Sequence, residues 1–218
     1  MKLKDKVKPS LPQLDPGTYI GRCVGIYGIG EQEKNYKGKT SYVEQIIFTF
    51  ELPSEPIEID GEMKPRQLSR TFNASVSEKG HLGKFLKSWC GKGFTSKNEL
   101  GNFEIFNLLG TSAMVNVIQT ENGYSNIDTV MPLPKGMAVP SSDTALISFD
   151  VDEWDDDTYA LLPGWIQEKV QNSSRYKEAH APDTAVDFPE VSEDVEVTKA
   201  AETPAEGSRV ERKGVAPF

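Results

Sequence analysis

The chain has 218 residues, with 24 Lys+Arg against 33 Asp+Glu for a formal net charge of -9, and only 37% of its residues are hydrophobic and 9% aromatic. That length fits one domain with extensions or two small ones, and no apolar run approaches the roughly 18 residues of a spanning helix, so no membrane partner is expected. The opening stretch Met1-Lys-Leu-Lys-Asp-Lys-Val-Lys-Pro9 is charged rather than apolar, unlike a secretory leader. Cys23 and Cys90 are too few for a disulfide framework or a four-ligand zinc site, which makes a reducing cytoplasm the expected location.

The charge is unevenly spread. Residues 1–140 hold 17 Lys+Arg and 15 Asp+Glu, a net of +2, whereas residues 141–218 hold 7 and 18, a net of -11. The acidity therefore belongs to the second part and does not exclude a polyanionic partner for the first.

In chain order, residues 1–16 read as a flexible basic arm. Gly17 to Ile29 reads as a strand, with glycines at 21, 25 and 28 of the kind that mark bulges or tight bends. Residues 30–40 form a polar loop. Tyr42 to Leu52 is the clearest strand, alternating Ile46, Phe48 and Phe50 with Gln45, Thr49 and Glu51. A second loop carries Pro53, Pro56, Asp60-Gly61 and Pro65, and Arg66 to Asn73 is a third strand. The period then changes: Leu82, Phe85, Leu86 and Trp89 mark one face of a helix. Ser75 to Glu78 has capping-box spacing, and Gly91 suits the left-handed end position. Strands at Ala113 to Gln119 and Tyr124 to Val130 are joined by the hairpin signal Asn122-Gly123.

Three strands, a helix and two strands is the element order of a mainly β five-stranded OB-fold barrel with one helix between strands three and four. Another small α+β sheet domain is the competing reading. The barrel spans residues 17–140 as a nucleic-acid-binding domain. Residues 141–177 follow as an acidic linker with a short amphipathic helix from Pro163 to Gln171, whose apolar side holds Trp165, Ile166 and Val170. That helix either packs back on the domain or forms a self-association surface. Residues 178–218, poor in aromatics, are expected to be a disordered acidic tail.

Catalytic chemistry is scarce, and the chain is not expected to be an enzyme. His81 and Cys90 stand nine residues apart on a helix and so on different faces. Gly38-Lys39-Thr40 resembles the end of a P-loop, but Glu33 stands where the motif needs glycine. The acidic run Asp150, Asp152, Glu153, Asp155, Asp156 and Asp157 lacks the spacing of a calcium loop. No cofactor and no metal are expected.

Binding chemistry is better represented. Lys34, Tyr36, Lys37 and Lys39 interleave an aromatic with cations in what would be the first interstrand loop of the barrel. Cations track phosphates, while an aromatic face stacks on a base without demanding sequence. Arg66, Arg70 and Phe72 in the third strand extend this surface if they point outward, although Phe72 equally suits the core. Tyr19 and Tyr27 lie at the opposite parity from the aliphatic residues of the first strand, and Tyr124 follows the last hairpin turn. Trp89 suits the core better than a stacking role. Phe94 among Lys87, Lys92 and Lys97 makes a second candidate contact loop.

Several stretches resemble one known family. Leu14-Asp-Pro-Gly-Thr-Tyr-Ile-Gly-Arg22, Phe48-Thr-Phe-Glu-Leu52, Trp89-Cys-Gly-Lys-Gly-Phe-Thr95, Leu108-Leu-Gly110, Met131-Pro-Leu-Pro-Lys-Gly-Met137 and Leu162-Pro-Gly-Trp-Ile-Gln-Glu-Lys169 are similar, in order and spacing, to the bacteriophage single-stranded DNA-binding proteins encoded beside phage replication and recombination genes. The terminus Val215-Ala-Pro-Phe218 is also similar to the Pro-Phe tip of bacterial single-stranded DNA-binding proteins, which recruits replication and repair enzymes, although Arg209, Arg212 and Lys213 lie where such tails are acidic. The resemblance implies an OB-fold, sequence-tolerant coating of single-stranded DNA, and a role in phage DNA replication or recombination in the bacterial cytoplasm. Phage or host replication proteins would be reached through Pro217 and Phe218, and homo-oligomers are compatible with it. The rival expectation is a phage structural or protein-interaction module.

Overall fold

The structure, a computed structural model, describes residues 12–59, 61–75, 77, 80–91, 102–138 and 140–180. The chain divides into a compact unit, Met1–Ala181, and a second, Pro182–Phe218, which lies outside the described residues together with the tip residues Pro217 and Phe218. Among the described residues, six strands and four short helices follow one another: β1 (Gly17–Tyr36), β2 (Lys39–Ile59), β3 (Glu62–Asn73), α1 (His81–Cys90), a 3-10 turn (Ile105–Leu108), β4 (Ser112–Gln119), β5 (Ser125–Pro132), β6 (Ile147–Asp150), α2 (Asp156–Leu161), α3 (Gly164–Gln171) and α4 (Ser174–Ala179). The fold is mainly β, with one sheet ordered β3-β2-β1-β4-β5 and β6 attached to β1.

β1 organises this sheet. Its first part, Gly17 to Arg22, pairs antiparallel with β4, and from Arg22 to Tyr36 it pairs antiparallel with β2. Where β4 leaves, β6 takes over the vacated edge and runs parallel to Gly25–Gly28. Register shifts at Cys23/Gly25 and Gly28/Gly30 bend the strand, as its glycines predict. At Gly25 the reason is packing, because the phenol ring of Tyr27 folds back over the place where a Cβ would stand.

Both expected loops are strand. The polar segment 30–40 is a β-ribbon, Glu31–Tyr36 against Lys39–Glu44. It turns at Lys37 (φ 50°) and Gly38 (φ 75°), two positive φ values that make the two-residue type I′ connection whose twist matches the strands. The proline-containing segment 53–65 is a second ribbon, with Pro56 opposite Pro65 and Ile59 opposite Glu62. Pro65 is tolerated on the edge strand β3, and Pro53 and Pro56 lie in the part of β2 beyond Glu51, where β1 no longer pairs with it.

The helix starts at His81 behind Gly80 with no side-chain cap, and Glu78 lies outside the described residues. Gly91 takes the expected left-handed conformation (φ 65°). Leu82, Phe85, Leu86 and Trp89 are all buried and meet the inward face of β2. Phe48 stands 5.4 Å from Phe85, Phe50 stands 5.0 Å from Trp89, and Phe72 stands 4.5 Å from Phe85 between ring centroids. Trp89 is core.

The other face of β1 and β2 carries a second core. Tyr27, Ile29 and Ile47 pack against Phe149, Val151, Leu162, Ile166 and Val170. Burying each aliphatic side chain contributes about 1.5–3 kcal/mol, so the helix expected within a linker is docked on the sheet. The acidic run caps local turns here: Asp155 accepts from the backbone N–H of Thr158 at the start of α2, and Asp150 accepts from that of Asp152. The end of the expected N-terminal arm is also fixed, because Leu14 is buried and its N–H donates to Ser125 Oγ. Among the described residues, no helix is long and apolar enough to cross a membrane.

One buried ion pair sits at the changeover in β1. Arg22 Nε donates to Glu51 Oε1 at 2.8 Å, and the Glu51 side chain is fully buried. Ser142 Oγ donates to the second carboxylate oxygen, and Arg22 Nη2 donates to the carbonyls of Ser142 and Thr144. Removing one partner of a buried pair leaves an uncompensated charge. Arg22→Ala is expected to destabilise the protein by about 3 kcal/mol, read as a lower urea midpoint; an unchanged midpoint would mean that water replaces the guanidinium.

Candidate nucleic-acid interface

The ribbon at the end of β1 presents its chemistry by parity. Residues opposite one another in an antiparallel pair project to the same face. Tyr36 stands opposite Lys39, and Lys34 opposite Ser41, so one face combines an aromatic with two cations. Tyr36 is 71% exposed, and the ammonium of Lys37 lies 5.3 Å from its ring centroid. The ammonium is attracted to the ring face, which places a positive charge directly beside the exposed aromatic.

That face leads into a cleft of about 480 Å³ where β3 meets α1, lined by Lys34, Arg70, Thr71, Phe72, Asn73, Ser75, Gly80 and His81. Lys34 Nζ donates to Asn73 Oδ1 at 2.6 Å across the mouth. Lys34 and Arg70 put two positive charges on a short stretch of wall, and Asn73, Ser75 and Thr71 add neutral donors and acceptors. Such a lining holds phosphate and sugar oxygens without reading a base.

The two arginines of β3 do not point outward as expected. They share the parity of Leu68 and Phe72, opposite the buried Phe48 and Leu52 of β2. Arg70 stands 4.9 Å from the Phe72 ring centroid, and its Nη1 donates to the carbonyls of Ile127 and Asp128. It joins the two ends of the sheet path, β3 and β5, across a seam without backbone pairing. Burial lowers its pKa, against the opposing effect of Asp128. Arg66 Nη1 donates to the Pro12 carbonyl and secures the incoming chain. Both guanidinium groups hold the sheet together first, and Arg70 also lines the cleft.

Two of the expected stacking residues are corrected. Tyr27 is buried at 3% exposure in the second core, and Phe72 at 4% in the first, so neither ring is available to a base. The parity argument for Tyr27 failed because β6 and the C-terminal helices cover the face it assumed to be open. Tyr19 is half-buried against the first core and its hydroxyl donates to the Asp15 carbonyl. Tyr124, 65% exposed, ends the β4–β5 turn, beyond the opposite end of β1 from the ribbon tip. Lys92, Phe94 and Lys97 lie outside the described residues. Tyr42, 60% exposed, stands opposite Glu33 on the other face of the ribbon. His81 lines the cleft, a position that no local sequence signal marks because it depends on β3 and α1 meeting.

No protein-family model, curated protein or solved structure matches the chain. Among the described residues, no group of three His, Cys, Asp or Glu side chains is arranged to hold a metal ion.

The burial of Tyr27 has a measurable consequence. Burial pushes its phenol up to about 12, against a hydrogen bond with Thr49 that lowers it. The neutral phenol is favoured in the folded state. Its contribution to stability is therefore whole below an unfolded value of about 10 and is lost as pH rises towards 12. Alkaline unfolding, followed by phenolate absorbance and circular dichroism, is expected to lose this component in Tyr27→Phe; an identical alkaline transition would place the phenol in water.

Proposed function

We propose that the protein is a non-enzymatic single-stranded DNA-binding protein of phage type, coating and protecting single strands during DNA replication or recombination with little sequence specificity. The observation that carries this reading is the face of the ribbon on which Lys34, Tyr36 and Lys39 stand together, continuous through Lys34 with the cleft of Arg70, Asn73 and His81. Cations spaced along a track with an exposed ring between them suit a flexible strand whose bases are free to stack.

The strand connectivity supports the same reading. β1 is shared between β2 and β4, α1 falls between β3 and β4, and Arg70 joins the β3 and β5 ends. We read this order as an OB-type barrel left partly open, in which the first ribbon and the β4–β5 turn with Tyr124 would correspond to the loops that flank the ligand. On this reading the C-terminal β6 and helices are an addition covering the β1–β2 surface, so the DNA path follows the ribbon and β3. The working location is the bacterial cytoplasm, and Pro217 and Phe218 are the contacts for a replication partner.

Fluorescence anisotropy of a labelled oligothymidylate tests the proposal. Tyr36→Ala is expected to lose about 1–3 kcal/mol of affinity. Lys39→Ala is expected to reduce the slope of log K against log salt by about 0.7, while Tyr27→Phe leaves binding unchanged. An absence of oligonucleotide binding at low salt would favour a protein-binding module instead.

A further inference from the structure

Among the described residues, three basic side chains line the cleft beside the ribbon: Lys34, Arg70 and His81. Two of them are engaged within the protein. Lys34 donates to Asn73, and Arg70 donates to the Ile127 and Asp128 carbonyls across the seam. The third, His81, is exposed. It opens α1, whose first turn carries no side-chain cap, so the positive end of the helix adds to the cations there. The charged groups around the imidazole are Lys34 from β1, Arg70 from β3 and Lys84 one turn along α1. From β5, Asp128 acts on Arg70, while Glu44 of β2 lies with Asp150 and Asp152 on the opposite face. Among the described residues, no carboxylate lines this cleft.

We propose that His81 binds a backbone phosphate in this cleft as an imidazolium, so that the protein takes up a proton when it binds a single strand. The inference rests on the single-strand reading above. A phosphodiester brought beside an imidazole favours its charged form. The charge-assisted hydrogen bond so formed is stronger than a neutral one. Lysine, arginine, phosphodiesters and thymine bases ordinarily keep their charge between about pH 5.5 and about pH 8, whereas imidazole ordinarily titrates near about 6.5. The bound state then holds more protons than the free one, and affinity rises as pH falls through this window. The one other histidine, His180, stacks on Tyr176 at 4.0 Å between ring centroids. Tyr176 packs against the second core, on the side of the sheet away from the cleft.

The test titrates the full chain with a labelled oligothymidylate, by anisotropy at fixed salt across this pH range. Affinity is expected to rise about tenfold from about pH 8 to about pH 5.5. The rise is expected to persist in His180→Gln and to vanish in His81→Gln. His81→Lys supplies a fixed charge, and its affinity is expected to be high and independent of pH. Calorimetry near neutral pH, in two buffers of unlike ionisation enthalpy, counts the proton directly. Uptake on binding is expected in the wild type and none in His81→Gln. A wild-type affinity independent of pH, or a pH dependence that survives in His81→Gln, would overturn the inference and leave single-strand binding standing. A wild-type protein that binds no oligothymidylate at any pH would overturn both.

Discussion

Arg22 is the residue at which β1 is paired with two strands at once, facing Glu51 of β2 on one side and Ser112 of β4 on the other. Its side chain neutralises a fully buried carboxylate and holds the carbonyls of Ser142 and Thr144. Three parts of the chain thus meet at one charge: the β1–β2 ribbon, the β4–β5 hairpin, and the segment leading to β6. A buried pair of this kind contributes little net stability compared with an apolar equivalent, yet a mismatched neighbour would leave a naked charge. We read it as a device that specifies which segments meet, with the aromatic core around Phe48, Phe85 and Trp89 supplying most of the adhesion.

This arrangement decides which surfaces are covered. Covering one side of β1 and β2 with β6, α2, α3 and α4 removes that surface from solvent, and the interior of the curved sheet is filled by α1 and its partners. Among the described residues, the part of the hairpin that outruns its neighbours and the cleft beside it stay open. The ribbon beyond Gly30 is long enough to expose both of its faces, and the alternation of a β-strand then divides its charges, lysines with Tyr36 on one side and glutamates with Tyr42 on the other.

Much of the architecture was legible in the residues. The 3.6-residue spacing of Leu82, Phe85, Leu86 and Trp89 located α1 and its buried face, and Asn122-Gly123 located the β4–β5 turn, because both signals are local. The two ribbons read as loops for a local reason as well: Lys, Glu, Asn and Pro look like loop residues, but an exposed ribbon has no buried face to demand apolar alternation. β6 was missed because four residues, Ile147–Asp150, carry too little pattern. For the candidate interface, Lys34, Tyr36, Lys37 and Lys39 are recognisable from their interleaving, whereas parity alone puts Tyr27 on an open face, and nothing local says which way Arg66, Arg70 and Phe72 point.

The uneven charge, the strand–helix–strand order, the helix face and the cation–aromatic segment followed from the sequence by itself, since each depends on neighbours a few positions apart. Tertiary structure alone decided which side of each strand faced water, that Arg70 would span the β3–β5 seam, that the acidic stretch after residue 140 would complete a second core, and that Lys34 would meet Asn73 across 39 positions of chain. These outcomes depend on contacts between distant segments. Parity within a strand separates two faces, but only the segments that pack against them determine which one remains open.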